Sequence, residues 1–127
     1  MILNLFIPGV PQNSNASGQW ARMKAATNRK HFRQLAAEIA GAEATRTGWS
    51  PPDFTMILAR QISPVRRRRD PTGLAERLKG ILDGLVDAGL IPDDDEDHIA
   101  ITLNHSRKGP KAGIELTLVE KPNHDLT

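Results

Sequence analysis

One stretch of the sequence carries a helical stripe of large apolar side chains between a basic run and an acidic run. It covers residues 66–97 and reads RRRRDPTGLAERLKGILDGLVDAGLIPDDDED. Its apolar positions are spaced i, i+4, i+7, i+8 and i+11, which is one face of an α-helix. We therefore predict a helix that packs this face on a core and ends at Gly89. The apolar positions are Leu74, Leu78, Ile81, Leu82 and Leu85.

The rest of the chain alternates between strand-like and helical patterns. Alternating or β-rich runs predict strands at ILNLFIP, FTMILARQI, HIAITLNH and IELTLVE. Another apolar stripe predicts a first helix from Thr27 to about Thr47, stopped by Gly48. The basic segment SRKGPKAG is predicted to join the last two strands as a hairpin. The order β-α-β-α-β-β indicates an α+β fold (an α/β two-layer arrangement) with a mixed sheet and two helices on one face.

The length of 127 residues suits one domain, which we place at residues 1–120, with 121–127 as a frayed tail. Cysteine is absent from the sequence, which excludes disulfides and thiolate metal sites. No apolar run is long enough to cross a bilayer, and the first strand lacks the basic lead-in of a signal peptide. We expect a cytoplasmic protein without a membrane partner. Two layers leave one sheet face thinly covered, so we also expect a homodimer.

Charge is segregated along the chain, although the net charge is only +2. Residues 1–37 hold five basic side chains and no acid, residues 66–69 are all arginine, and residues 93–97 are all acidic. Such segregation favours a surface that binds a polyanion beside a cluster of carboxylates. The alternative is that each run is an ordinary solvated surface.

The acids at the two ends of the predicted helix have two possible roles. Hard cations such as Mg²⁺ take carboxylate oxygens, and water and phosphate complete their coordination. Asp70 precedes the helix, whereas Asp93 and Asp94 follow it, so a shared cation requires the fold to bring these segments together. The sequence DPTG is also typical of a helix start, with Asp70 as the N-cap and Pro71 in the first turn.

The arginine run closed by an acid, the helix of LKGILDGLVDAG and the following LIPDDDEDHI together resemble the RusA family of Holliday junction resolvases. The early IPGVPQNSN is also similar to the loop after that family's first strand. The resemblance implies a phage-derived homodimeric endonuclease that resolves four-way or other branched DNA with Mg²⁺, or with Mn²⁺ in its place, in recombination and repair. It implies that Asp70 and Asp94 are catalytic metal ligands assisted by Asp93, and that Lys79 supports the chemistry.

Basic residues and two loop amides are assigned to DNA binding. The basic residues are expected to contact phosphates without reading sequence. The amides could equally serve only to form their loop. The full set is Arg66, Arg67, Arg68, Arg69, Asn13, Asn15, Arg22, Lys24 and Arg29.

The chain departs from the family pattern at Thr72, which stands where the family has a second aspartate. A threonine offers one neutral oxygen, so metal affinity should drop unless Glu76 or Asp95 supplies the missing carboxylate. Two other interpretations therefore stand beside the nuclease. One is a catalytically weakened or inactive protein of the same fold that binds branched DNA. The other is a small dimeric interaction protein whose charges keep it in solution.

Overall fold

The computed structural model describes residues 1–9, 18–64, 74–75 and 77–121. Leu74, Ala75 and Arg77 have helical backbone, and a turn at Leu78 separates them from the helix that follows. The two helices and five strands are β1 (Ile2–Pro8), α1 (Gln19–Thr47), β2 (Thr55–Ser63), α2 (Lys79–Asp87), β3 (Ile99–Leu103), β4 (Arg107–Lys108) and β5 (Gly113–Glu120).

The strands form one mixed sheet in the order β1-β5-β2-β3, with the two-residue β4 also paired to β2. Strand β5 is antiparallel to both β1 and β2, whereas β3 and β4 are parallel to β2. Strands β1, β2 and β3 therefore point the same way and end at one edge of the sheet. We call this edge the carboxyl edge; the chain leaves it after Pro8 and again after Ser63.

A single apolar core lies between one face of the sheet and the two helices. Alternate residues of β1 are buried, and the central strand β5 buries Ile114, Leu116 and Leu118 completely. Trp49 follows α1 into this core, and its Nε1 donates a 3.0 Å hydrogen bond to the Leu90 carbonyl. The helices contribute Phe32, Ala36, Ala40, Ile81, Leu82 and Leu85 to the same cluster.

Helices α1 and α2 pack closely because α2 presents two glycines to α1. A Cβ atom at Gly80 would lie 2.7 Å from the Arg29 carbonyl oxygen, and one at Gly84 would lie 2.5 Å from that of Arg33. Arg29 is thus level with the first turn of α2. The ten residues of α1 before Arg29 extend past α2 by about 15 Å at a rise of 1.5 Å per residue.

Several predictions from the pattern are confirmed. The leucine stripe of the second helix is buried at all five positions, and β1, β2 and β5 alternate as predicted. Gly48 and Gly89 end the helices with φ of 73° and 77°, the left-handed conformation that glycine adopts without strain. Helix α1, however, starts at Gln19 instead of Thr27, because residues 19–27 are mostly good helix formers that carry no apolar stripe to mark them.

The predicted hairpin between the last two long strands is wrong. Strands β3 and β5 do not pair; they lie on opposite sides of β2, and the segment between them forms β4 beside the end of β2. Burial explains this order, because β5 carries three completely buried apolar residues and takes a central place. Strand β3 buries only Ile99 and is the outermost strand beside β2.

The sheet face that points away from the helices is open and partly apolar. Ile2 and Met56 flank Val119 in the register of β1, β5 and β2, and their exposed fractions are 61% and 36%. The expectation of a thinly covered face is therefore confirmed. No helix in the described ranges is both long and apolar enough to span a membrane.

Candidate metal and nucleic-acid site

The acidic run forms a tight turn between α2 and β3. The backbone N–H of Asp94 donates a 2.7 Å hydrogen bond to Asp93 Oδ1, which fixes the Asp93 carboxylate against the backbone of the turn. The carbonyl of Asp95 accepts from the N–H groups of His98 and Ile99, at 3.1 and 3.0 Å. The acids are thus held on a hydrogen-bonded turn at the start of β3.

The pKa of Asp94 is raised above its ordinary value of 3.8. Partial desolvation is the largest cause, although the side chain remains exposed, and the hydrogen bond with Asp93 comes next. The charges of Asp93 and Asp83 raise this pKa further, while a backbone hydrogen bond lowers it. Asp83 therefore lies close enough to Asp94 to repel it, and a cation bound here would relieve that repulsion.

Asp83 links this cluster to both helices. Its carboxylate, on α2, accepts a 2.9 Å hydrogen bond from Arg29 of α1. Lys79, the exposed first residue of α2, precedes Asp83 by one helical turn and so lies on the same side of the helix. Asp93 and Asp94 thus share one turn, the charge of Asp83 acts on Asp94, and Arg29 pairs with Asp83 while Lys79 lies one helical turn before it.

The carboxylate of Asp95 forms hydrogen bonds within the turn itself. Its Oδ1 lies 2.5 Å from His98 Nδ1 and accepts a 3.1 Å hydrogen bond from the N–H of Asp97. The histidine lowers the pKa of Asp95, and the carboxylate in turn raises the pKa of His98. This engagement makes Asp95 a poor replacement for the aspartate that Thr72 displaces.

The described basic residues assigned to DNA fall into two groups. Arg22 and Lys24 are exposed on the part of α1 that extends past α2. Arg29 is held in the ion pair with Asp83, although 52% of its side chain stays exposed. Arg22 lies seven residues before Arg29, or about 10 Å along the helix axis. Arg22 is therefore separated from the Arg29–Asp83 pair along α1.

Many of the predicted site residues lie outside the described residues. The chain leaves the carboxyl edge at Gly9 and Pro64, and the sequence then continues into the loop amides and the arginine run. The predicted residues in these segments are Asn13, Asn15, Arg66, Arg67, Arg68, Arg69, Asp70, Thr72 and Glu76. The proposed tail at 122–127 lies outside the described ranges as well.

The donor chemistry suits a hard divalent cation. Within the described ranges, no three His, Asp or Glu side chains are already arranged to hold a metal. Asp93 and Asp94 nevertheless offer adjacent carboxylate oxygens, and Mg²⁺ needs only one or two protein carboxylates when water and phosphate supply the remaining ligands. The two aspartates therefore fit Mg²⁺ or Mn²⁺ as a partial site that substrate would complete.

Sequence reasoning did not select Asp83 as a member of the site. Its spacing from Lys79 suggests only an ordinary surface pair on a helix, and its partner Arg29 lies 54 residues earlier. A contact over that separation depends on how α1 packs against α2. The two glycines of α2 allow the close approach of the helices.

No protein-family model matches the chain, and a comparison with curated proteins finds no significant match. The resemblance to the RusA family therefore remains a prediction from the motifs.

Proposed function

We propose that the chain is a Mg²⁺-dependent endonuclease that resolves four-way or other branched DNA, as the RusA resemblance implies. The observation that carries this proposal is the placement of the Asp93 and Asp94 carboxylates side by side in sequence on one hydrogen-bonded turn, where the Asp94 N–H donates to Asp93 Oδ1. Carboxylates that repel one another beside basic side chains suit a cation site for phosphodiester chemistry. Such a site also needs a positive surface to hold DNA, and the exposed basic residues at the start of α1 supply one.

The residues of the candidate site have the following roles in this proposal. Asp94 and Asp93 hold the metal ion, together with Asp70 from the segment before α2. When bound, Mg²⁺ would activate a water and stabilise the negative charge that develops on the phosphate. Lys79 adds a positive charge next to the cluster. Arg22 and Lys24 hold the DNA backbone, and Arg29 positions Asp83.

The substrate proposal includes a homodimer. A four-way junction has two-fold symmetry, and two paired cuts require two sites in a symmetric assembly. The end of the open sheet face around Ile2, Met56 and Val119 offers the surface that a second copy would cover. We expect sedimentation to show a dimer that Met56→Lys weakens. Met23→Lys, at a methionine of α1 that is 58% exposed, is the matched control.

One assay tests the activity. The protein is incubated with a synthetic four-way junction or a linear duplex, with Mg²⁺, with Mn²⁺ or with a chelator, and the products are separated on a denaturing gel. We expect paired, metal-dependent cuts in the junction and none in the duplex. Binding should weaken steeply with salt, because phosphate contacts release counterions. Salt-independent binding would contradict the role of the basic residues.

A second candidate is a protein that binds branched DNA without cutting it. It is favoured by Thr72, which stands in place of a family aspartate. The same assay distinguishes the two, since this candidate shifts the junction in a native gel but gives no cuts even with Mn²⁺. A chain that neither shifts nor cuts the junction would instead be a small interaction protein.

A further inference from the structure

A cavity of about 260 Å³ opens on the sheet face away from the helices, at the carboxyl edge. It has an apolar floor and a charged rim, and none of the groups assigned to the metal cluster lines it. Its volume is below the range of about 300–1,000 Å³ typical of sites for drug-sized ligands, so it suits a single ring system. The lining residues are Phe6, Ile62, Arg107, Pro110, Lys111 and Glu115.

Two glycines let the apolar floor form. A Cβ at Gly113 would overlap the Phe6 ring, and one at Gly109 would lie 2.5 Å from Ile62 Cγ2. Because neither glycine has a side chain, the Phe6 ring lies directly on the β5 backbone and Ile62 packs under the loop after β4. Phe6 still exposes 37% of its surface, so an aromatic face is available to a planar ligand.

The rim of the cavity is positive. Arg107 donates a 3.1 Å hydrogen bond to Glu115, which balances one charge, and leaves exposed Lys111 as the second cation. Arg60 is the neighbour of Glu115 across the β2–β5 pair. Its Nε is buried without a hydrogen-bond partner in the part of the chain that the structure describes. The cavity thus combines an aromatic floor with an excess of positive charge.

We propose that this cavity holds one unpaired nucleobase of a DNA strand, with its ring against Phe6 and its phosphate at Lys111. Aromatic faces stack on any base, and cations beside them hold the backbone without reading sequence. The cavity opens at the carboxyl edge, from which the chain continues towards the arginine run. The proposal rests on the proposed function and adds a binding site for the unpaired nucleotides that a branch point exposes.

Photochemical cross-linking tests the location. A junction carries 5-iododeoxyuridine either unpaired at the branch point or paired within an arm, and the cross-linked peptide is identified by mass spectrometry. We expect the unpaired base to attach to the peptide containing Phe6 or to residues 107–115. Cross-links confined to other peptides would overturn the proposal.

Affinity measurements test the chemistry. Phe6→Leu keeps an apolar side chain but removes the aromatic face, so binding to a single-stranded oligonucleotide should fall about five-fold, at the lower end of a stacking contribution. Binding to a paired duplex should not change. Phe54→Leu, the same change just before β2 and at the opposite end of that strand from Ile62, is the control. An equal loss for single-stranded and paired DNA, or no loss, would count against a base in this cavity.

Lys111→Gln gives a second variant on an exposed loop, where misfolding is not expected. In a plot of the logarithm of the binding constant against the logarithm of the salt concentration, Lys111→Gln should reduce the magnitude of the slope by about one. Lys121→Gln, at the other end of the sheet, should leave the slope unchanged. Competition by polyglutamate as effective as that by DNA would show a site for any polyanion and overturn the base assignment. If the protein binds the junction but the cross-links lie on other peptides, only the proposal of a nucleobase in this cavity is overturned. Failure of the proposed nuclease function appears separately, as a wild-type protein that does not cut the junction with Mg²⁺ or Mn²⁺.

Discussion

The guanidinium of Arg33 holds both carboxylate oxygens of Asp87, with hydrogen bonds of 2.6 Å from Nε and 2.9 Å from Nη2. One turn earlier along both helices, Arg29 contacts Asp83 in the same way but through a single bond. Helix α1 therefore carries two arginines against two aspartates of α2, and Asp83, held by a single hydrogen bond, is one of the charges that act on Asp94. This arrangement fixes α2 on α1 while leaving Asp83 close to Asp94.

The Arg33–Asp87 pair should contribute to stability in a way that depends on pH. Its hydrogen bonds lower the pKa of Asp87 below its ordinary value of 3.8. The contribution should be fully present above that ordinary value and lost as the pH falls through the lower, folded-state pKa. A double-mutant cycle of Arg33→Gln and Asp87→Asn should show coupling in urea unfolding at neutral pH and none in acid. Coupling that persists in acid would contradict the ion pair as its cause.

Removing the charge of Asp83 should lower the pKa of Asp94. Asp83→Asn takes away one of the carboxylates that repel Asp94, so the Asp94 pKa should move down towards its ordinary value. The pKa is measured by NMR titration of the side-chain carboxyl carbon. Asp87→Asn is the control, because it makes the same change one turn further along α2, where the carboxylate is paired with Arg33. Identical titration curves in all three proteins would place Asp83 outside the cluster.

The sequence predicts those parts of the fold that follow from local periodicity. The stripe from Leu74 to Leu85 and the alternation in β1 and β5 each need only neighbouring residues, and the structure has both. Strand order is different, because it depends on which strands can be buried on both sides. The hairpin prediction failed for that reason: SRKGPKAG has turn composition, but β5 is more apolar than β3 and takes the central position.

The candidate site shows the same division. Adjacent acids such as Asp93 and Asp94 are visible as a motif, and the family resemblance assigned them to metal. Asp83 could not be selected, because its contact with Arg29 arises from the crossing of two helices, and its effect on Asp94 from the path of the chain after α2. Neither periodicity nor composition reports that crossing, although Gly80 and Gly84, four residues apart, are its physical cause.

Gly84→Ala should destabilise the protein by about 1–3 kcal/mol, the usual cost of forcing extra atoms into a packed interface. The new Cβ would lie 2.5 Å from the Arg33 carbonyl oxygen and 2.8 Å from Ala36 Cβ. Gly41→Ala is the matched control within α1, since nothing lies within 4 Å of its Cβ position. That change should stabilise by about 0.5–1 kcal/mol through helix propensity. Thermal unfolding of both variants decides whether the helices are as close as described.

His98 should stabilise the acidic turn only while it is protonated. Asp95 raises the pKa of His98 above 6.5, mainly through their hydrogen bond. Its contribution should therefore be complete below the unfolded pKa and disappear as the pH rises through the raised, folded-state pKa. The melting temperature of the wild-type protein should exceed that of His98→Gln at mildly acidic pH, and the difference should shrink towards alkaline pH. A constant difference across this range would show that the ring acts through packing instead.

Asp94→Asn should reduce junction cleavage by at least about a hundred-fold, because it removes a charged ligand from the proposed metal site. DNA binding should be kept or become tighter, since the change also removes a charge that repels phosphate. Asp97→Asn, an equal change of charge in the same turn, should cleave normally. Thr72→Asp restores the carboxylate of the family pattern, so it should increase cleavage at low Mg²⁺. Quantitative gels at several metal concentrations measure these effects, and normal cleavage by Asp94→Asn would move the metal site away from this turn.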